Sequence, residues 1–390
     1  MRLNVFLNAY GKRHFVGILE EQAPRIFFEY SPEFIATGIN LSPFMLPLKS
    51  QIFEDTKQTF DGLFGVFNDS LPDGWGCLLL DRQLQKKGLS LQQITPLQRL
   101  SIIGLNAMGA LEYEPITEND SEFVGDIELD SLCLEANHIL AGKSSEVLDK
   151  LLTLNGSSGG ARPKIVALVS DDKQTLIHGN LAKPGYSPWL IKFASSLDNK
   201  NIGAEEYVYS KMAKDAGIEM PETYLFSSKN CVGHFGVKRF DRIGNPKVHI
   251  HTACGLLHAN HRTSSINYDG LLKLTSILTK DVREVEKMVR LMIFNVKAGN
   301  KDDHSKNFSF MLDRNNNWKM TPAYDLTPSQ GINGEQTSMV NGKGTDITDS
   351  DLIKTAVPFG FAEKKVAAII EQTNDALANY SKYMKELGVK

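Results

Sequence analysis

A chain of 390 residues, 42% hydrophobic and 23% charged, carries more apolar material than one small core uses, so two or three packed units are expected. Its net charge of −3 lacks the basic excess of a broad nucleic-acid binder and leaves room only for a local basic patch. The opening MRLNVFLNAYGKRHF has no apolar stretch of signal-peptide type, and no apolar run of about 18 residues follows that would cross a membrane.

Residues 1–115 read as an α+β unit, opened by a hairpin in LNVFLNAYGKRHFVGILEE with its turn near Gly11. Turn chemistry at Asn68, Asp69, Pro72, Asp73 and Gly74 leads into an apolar helix start, and a second Gly-containing segment, IIGLNAMGALEYEP, covers 102–115. Residues 128–153 read as helical, followed by the loop NGSSGGARPK at 155–164. Strand patterns come next in KIVALVS and in PWLIKFAS at 188–195. The segment 203–217 fits one helix stopped by Gly217, and 234–242 reads as a further strand. Val285, Met288, Val289, Met292 and Val296 recur at helical spacing, and Gly299 ends that helix. NFSFML and WKM, joined by DRNNN, form a hairpin that delivers PAYDL at 322–326.

The chemistry gathers at GNKDDHSKNFSF, residues 299–310. Asp302 and Asn307 stand five positions apart, and Asp325 follows the hairpin. That order is the one a phosphoryl-transfer site uses: a carboxylate beside the attacking hydroxyl, then an Asn and a second carboxylate as oxygen ligands for Mg²⁺. His304 and Lys306 share the loop and would steady the phosphate or the loop backbone. A polar turn capped by Asp302 and Asp303 explains one aspartate, but not the ordered set of three. Lys192 lies opposite Trp189, Ile191 and Phe193 on its strand, as a phosphate-contacting lysine would. A solvent-facing lysine is the plainer reading of that residue alone; the Gly-rich loop before it, and Glu205 and Glu206 after it, favour the first. Gly159 and Gly160 let backbone N–H groups approach phosphates, although no GK[ST] ending makes this a Walker loop. Phosphorylation of Ser157 or Ser158 would add nearly two negative charges there. His249, His251, His258 and His261 read as core or surface histidines, and Cys77, Cys133, Cys231 and Cys254 are too scattered for zinc or a disulfide framework.

With NDSLPDGWG at 68–76, GLNAMGALEYEP at 104–115, GGARPK at 159–164, WLIKF at 189–193 and KRFDR at 238–242, these motifs resemble the HipA family. Its members are serine/threonine-kinase toxins of bacterial toxin–antitoxin modules. The resemblance implies an α+β fold, bilobal and kinase-like, of HipA type and related to the phosphatidylinositol 3-kinases. It divides the chain into an N-terminal subdomain at 1–115, a kinase N-lobe at 116–240 and a mostly helical C-lobe at 241–390. It also implies ATP and Mg²⁺ as cofactors, with Asp302 as catalytic aspartate and Asp303 at a variable place in the pattern. His304 and Lys306 fall on the pattern's His and Lys. Asn307 and Asp325 become metal ligands, Lys192 the ATP-phosphate lysine, and Lys238 and Phe240 part of the stretch whose backbone holds adenine. Ser157 falls on the inhibitory autophosphorylation position, with Ser158 as rival. The family's partners are a helix-turn-helix antitoxin of HipB type, through which DNA is reached indirectly, and a protein substrate such as an aminoacyl-tRNA synthetase in the cytoplasm. The stretch KVHIHTACGLLHANHR and the loop GINGEQTSMVNGKG at 331–344 match no characterised substrate site. Against an active protein kinase stand two alternatives: a catalytically weak, antitoxin-bound co-repressor, and a small-molecule or lipid kinase with the same site.

Overall fold

The computed structural model describes residues 1–116, 126–143, 147–179, 183–244, 246–260 and 266–389, so His261 of the histidine group lies outside the described residues. Two compact units result: Met1–Gly203 with Thr223–Ile250, and Ala204–Glu222 with His251–Lys390.

The first unit holds two antiparallel sheets. Strands β1 (Arg2–Ala9), β2 (Lys12–Gln22), β3 (Arg25–Tyr30), β4 (Ile52–Glu54) and β5 (Leu111–Glu114) form one, in the order β4-β3-β2-β1-β5. Leu3, Val5 and Leu7 alternate inward along β1, the period of a strand with one buried face. The turn is Tyr10–Gly11, both at positive φ (52° and 80°), the geometry whose twist matches the flanking strands.

The second sheet comprises β6 (Lys164–Ser170), β7 (Leu176–Ile177), β8 (Tyr186–Lys192), β9 (Thr223–Phe226) and β10 (His234–Lys238), in the order β7-β6-β8-β10-β9. Ile165, Ala167 and Val169 of β6, with Trp189 and Ile191 of β8 and the following Phe193, share a core with Trp75, Leu79 and Leu80. The helix Gly74–Lys86, drawn from the N-terminal stretch, thereby covers this sheet. The stretch 128–153, which reads as helical, holds two helices, Leu129–Leu140 and Leu148–Asn155.

The second unit is mostly helical. Val285, Met288, Val289 and Met292 face the core from the helix Val282–Ala298, and Val296 is half-buried. Asp281 caps its start by accepting from Arg283 N at 2.9 Å, and Gly299 closes it at φ 71°, a left-handed conformation glycine adopts without strain. Ser309–Leu312 and Trp318–Met320 pair as the expected hairpin. No helix among the described residues is long and apolar enough to cross a membrane.

The strand expected over 234–242 ends at Lys238 because the next charged residues turn inward. Asp241 is 1% exposed and takes Arg239 at 2.7 and 2.9 Å, Arg242 at 2.8 Å and the Gly109 N–H at 2.7 Å. Nearby, Glu112 accepts from Lys247 at 2.8 Å and from Arg13 and Asn8, each at 2.9 Å. Burial alone would raise the Asp241 pKa, yet the two guanidinium groups hold it well below the usual carboxylate range. A depressed carboxylate contributes stability above its unfolded pKa and loses it as pH falls through the folded value. Urea unfolding from pH 7 down to pH 3 should therefore show wild type losing stability below pH 4. Asp241→Asn should start about 3 kcal/mol lower and lose less over that range; parallel curves for the two proteins would remove Asp241 from the account.

Candidate active site

The helix Val282–Ala298 ends at Gly299 and releases the chain into the loop that carries Asp302. The Asn300 amide accepts from Asp302 N at 3.3 Å and donates to the Asp325 carbonyl at 3.0 Å, joining the two carboxylate-bearing segments. Ser329 Oγ accepts from the N–H groups of Lys301 (2.9 Å) and Asp302 (2.7 Å). Asn307 Nδ2 donates to the Asp302 carbonyl at 2.8 Å, which turns its amide oxygen the other way. Asp302 is thus held through its main chain while its side chain stays 65% exposed.

Asp302, Asn307 and Asp325 are therefore brought into one hydrogen-bonded cluster, with His304 Nε2 4.0 Å from Asp302 Oδ1. Burial raises the Asp302 pKa, His304 opposes this, and the Asp325 charge adds to it. Asp325 is exposed at φ 59°, a left-handed conformation that Asp tolerates better than most residues. Two carboxylates that repel each other and a nearby amide are oxygen donors by residue type, the chemistry that suits a hard divalent cation such as Mg²⁺. Lys306 is half-buried, and its carbonyl accepts from Tyr324 OH at 2.7 Å.

In the first unit, Lys192 closes β8 directly opposite Lys164 of β6 and Phe235 of β10, with its Nζ 5.9 Å from the Phe235 ring centroid. Lys238 ends β10, and Phe240 follows in the turn; both are half-buried. Glu206 of the helix Ile202–Asp215, in the other unit, is buried and Glu205 half-buried.

The Gly-rich loop is anchored rather than loose. Ser157 and Ser158 are 2% and 0% exposed. Ser157 Oγ accepts from Met108 N, and Ser158 Oγ donates to Asn155 Oδ1, each at 2.7 Å. Gly160 N donates to the Asp73 carboxylate, Trp75 N donates to Gly160 O at 3.0 Å, and Trp75 Nε1 to Lys164 O at 3.1 Å. Lys164 Nζ donates to Gly159 O. A Cβ on Gly74 would fall 2.6 Å from Gly160 O, and one on Gly76 2.6 Å from Asn155 Nδ2, so the DGWG turn fits the loop only with glycines.

Sequence reasoning passed over Lys164, Asp73, Trp75, Asn300, Ser329 and Tyr324 as site residues. For all but Ser329 the signal lay in polar or aromatic residues inside the quoted motifs, but several partners stand far along the chain: Asp73 and Gly160 are 87 positions apart.

The HipA N-terminal domain pattern matches residues 4–114, and that of the HipA-like C-terminal domain matches residues 156–380. The chain is 25% identical over 241 residues to the putative kinase Y4dM of Sinorhizobium fredii, covering 56% of this chain and 58% of that protein. It is 25% identical over 187 residues to a putative kinase of Haemophilus influenzae, covering 44% and 52% respectively. It thus spans about half the length of these curated relatives. Its fold is similar to that of the Shewanella oneidensis MR-1 toxin–antitoxin complex of HipA, HipB and operator DNA, with a TM-score of 0.71 at 18% identity over 99% of this chain and 90% of that one. With both domain patterns matched in order, the chain belongs to the HipA family and carries its kinase-like mixed α/β fold.

Proposed function

We propose that this chain is an ATP- and Mg²⁺-dependent protein serine/threonine kinase acting as a HipA-type toxin. The observation that carries the reading is the cluster of Asp302, Asn307 and Asp325 on one set of loop hydrogen bonds. Asp302 would orient the acceptor hydroxyl and take its proton, while Asn307 and Asp325 would hold the metal that neutralises charge on the nucleotide phosphates. His304 and Lys306 flank the acceptor. Lys192, with Lys164 opposite, would bind phosphate; Lys238 and Phe240 would border adenine. Phosphoryl transfer asks mainly for positioning and charge stabilisation, which a loop fixed through its backbone supplies.

The acceptor is proposed to be a protein, with an aminoacyl-tRNA synthetase the one the family resemblance suggests. Likeness to a HipA solved with HipB and operator DNA supports a HipB-type antitoxin as partner. The net charge of −3 leaves DNA contact to that partner. Transfer to Ser157 is part of the proposal, and its burial sets a condition: the hydroxyl must leave Met108 before it reaches a phosphate.

Incubated with γ-labelled ATP and Mg²⁺, the purified chain should pass label to protein, including itself, and Asp302→Ala should lower this by at least about 10³-fold. Label entering only lipid or small molecules would reject the protein-kinase reading, and undiminished transfer by Asp302→Ala would reject the site. Ser157→Asp should weaken ATP binding at least about tenfold in titration calorimetry, because buried fixed charge opens the loop and repels phosphate. Ser157→Ala, losing one hydrogen bond of about 1 kcal/mol, should bind within a few-fold of wild type. Equal affinities for Ser157→Asp and wild type would contradict the anchoring. Trp75→Ala should cost about 3–5 kcal/mol of stability from the cavity alone; a loss under 1 kcal/mol in urea unfolding would show that the indole does not carry this core.

A further inference from the structure

We propose that Asp303 is a positioning residue that locks the segment 331–344 onto the catalytic loop, holding that loop ready with no modified residue in the segment. The inference rests on the phosphoryl-transfer reading of the site. It concerns the one loop acid that faces inward: Asp303 is 0% exposed, while its neighbour Asp302 points outward. A carboxylate removed from water needs partners, and every partner here is a donor. Tyr268 OH reaches Oδ2 at 2.6 Å, Gln336 Nε2 reaches Oδ2 at 2.9 Å, and Ser338 N reaches Oδ1 at 3.0 Å. Such a site demands an acceptor-only group, which an ionised carboxylate is and an amide is not.

The segment returns the grip through the loop's carbonyls. Ser338 Oγ donates to Asp303 O at 2.6 Å, and Gln336 Nε2 also donates to Asn300 O at 2.5 Å. Thr337 donates to Lys301 O through N at 3.1 Å and through Oγ1 at 2.8 Å. The carbonyl of Asp302 goes to Asn307. Each carbonyl from Asn300 to Asp303 thus has a donor, three of the four from residues 336–338. Tyr268 OH in turn accepts from Asn295 Nδ2 at 3.0 Å, tying the network to the helix that delivers the loop.

In many kinases the segment after the metal-binding aspartate is ordered by phosphorylation, the new phosphate pairing with arginines. In this chain the anion is encoded in the catalytic loop and the donors lie in the segment. The Thr337 and Ser338 hydroxyls are already spent as donors inside it. Phosphate on either would break the lock rather than make it.

The test uses the full chain, with Asp303→Asn and Gln336→Ala as separate variants. Asp303→Asn places an NH₂ against donors and should lower kcat about 100-fold with the ATP dissociation constant within twofold. Amide hydrogen exchange across 300–304 and 331–344 should speed up in both variants, even without nucleotide. Exhaustive phosphatase treatment of wild type should not lower kcat. Wild-type exchange in both variants, or loss of wild-type activity on dephosphorylation, would overturn the proposal. Should Asp303→Asn fail to fold, Gln336→Ala, which keeps the buried acid, decides the matter. If wild type itself transfers no phosphate, the kinase reading fails while the exchange comparison still tests the lock.

Discussion

The proposed active site depends on one constraint: backbone polar groups of a loop with few regular hydrogen bonds must all find partners. Asn300 joins the two carboxylate-bearing segments, since its single side chain accepts from Asp302 N and donates to Asp325 O. Two segments separated by a hairpin are thereby referenced to one amide. Ser329 and Asn307 complete the frame, so that Asp302 projects outward without its own carboxylate serving as structural glue. That division matters for chemistry. An acid that must hold the loop cannot also give and take a proton freely, and the structural duty falls to Asp303, whose buried carboxyl is pushed up to about 6 by desolvation.

The same economy appears in the first unit. The N-terminal motifs NDSLPDGWG and GLNAMGALEYEP contribute no group to the proposed phosphoryl transfer. They occupy the positions that hold the Gly-rich loop: Asp73 and Trp75 bind it at Gly160, and the Met108 N–H binds it at Ser157. A glycine loop has high conformational entropy, and its usefulness depends on what restrains it. Burying both serines links the loop's position to their chemical state, because a phosphate cannot occupy the space that a hydroxyl fills.

Much of the architecture was legible in local patterns. Alternation and the Tyr10–Gly11 turn specify the first hairpin, and the spacing of Val285, Met288, Val289 and Met292 specifies the helix that aims the loop. The order of Asp302, Asn307 and Asp325 marked the segments that the Asn300 and Asn307 side chains link through main-chain atoms. What local patterns could not reveal were pairings across long stretches of chain, such as Gly109 with Asp241, 132 positions apart. That pairing draws the KRFDR acid into the interior and shortens its strand. Asp303 was illegible for a related reason: its burial depends on Gln336 and Ser338, residues of a segment with no periodicity to read.

The central claim is that Asp302, Asn307 and Asp325 serve one divalent ion and one acceptor oxygen. Its most direct test is a Mn²⁺ titration followed by electron paramagnetic resonance, with a non-hydrolysable ATP analogue present. The account predicts nucleotide-dependent Mn²⁺ binding in wild type, weakened at least about tenfold in Asn307→Ala and in Asp325→Asn. Wild-type affinity in both variants would contradict it.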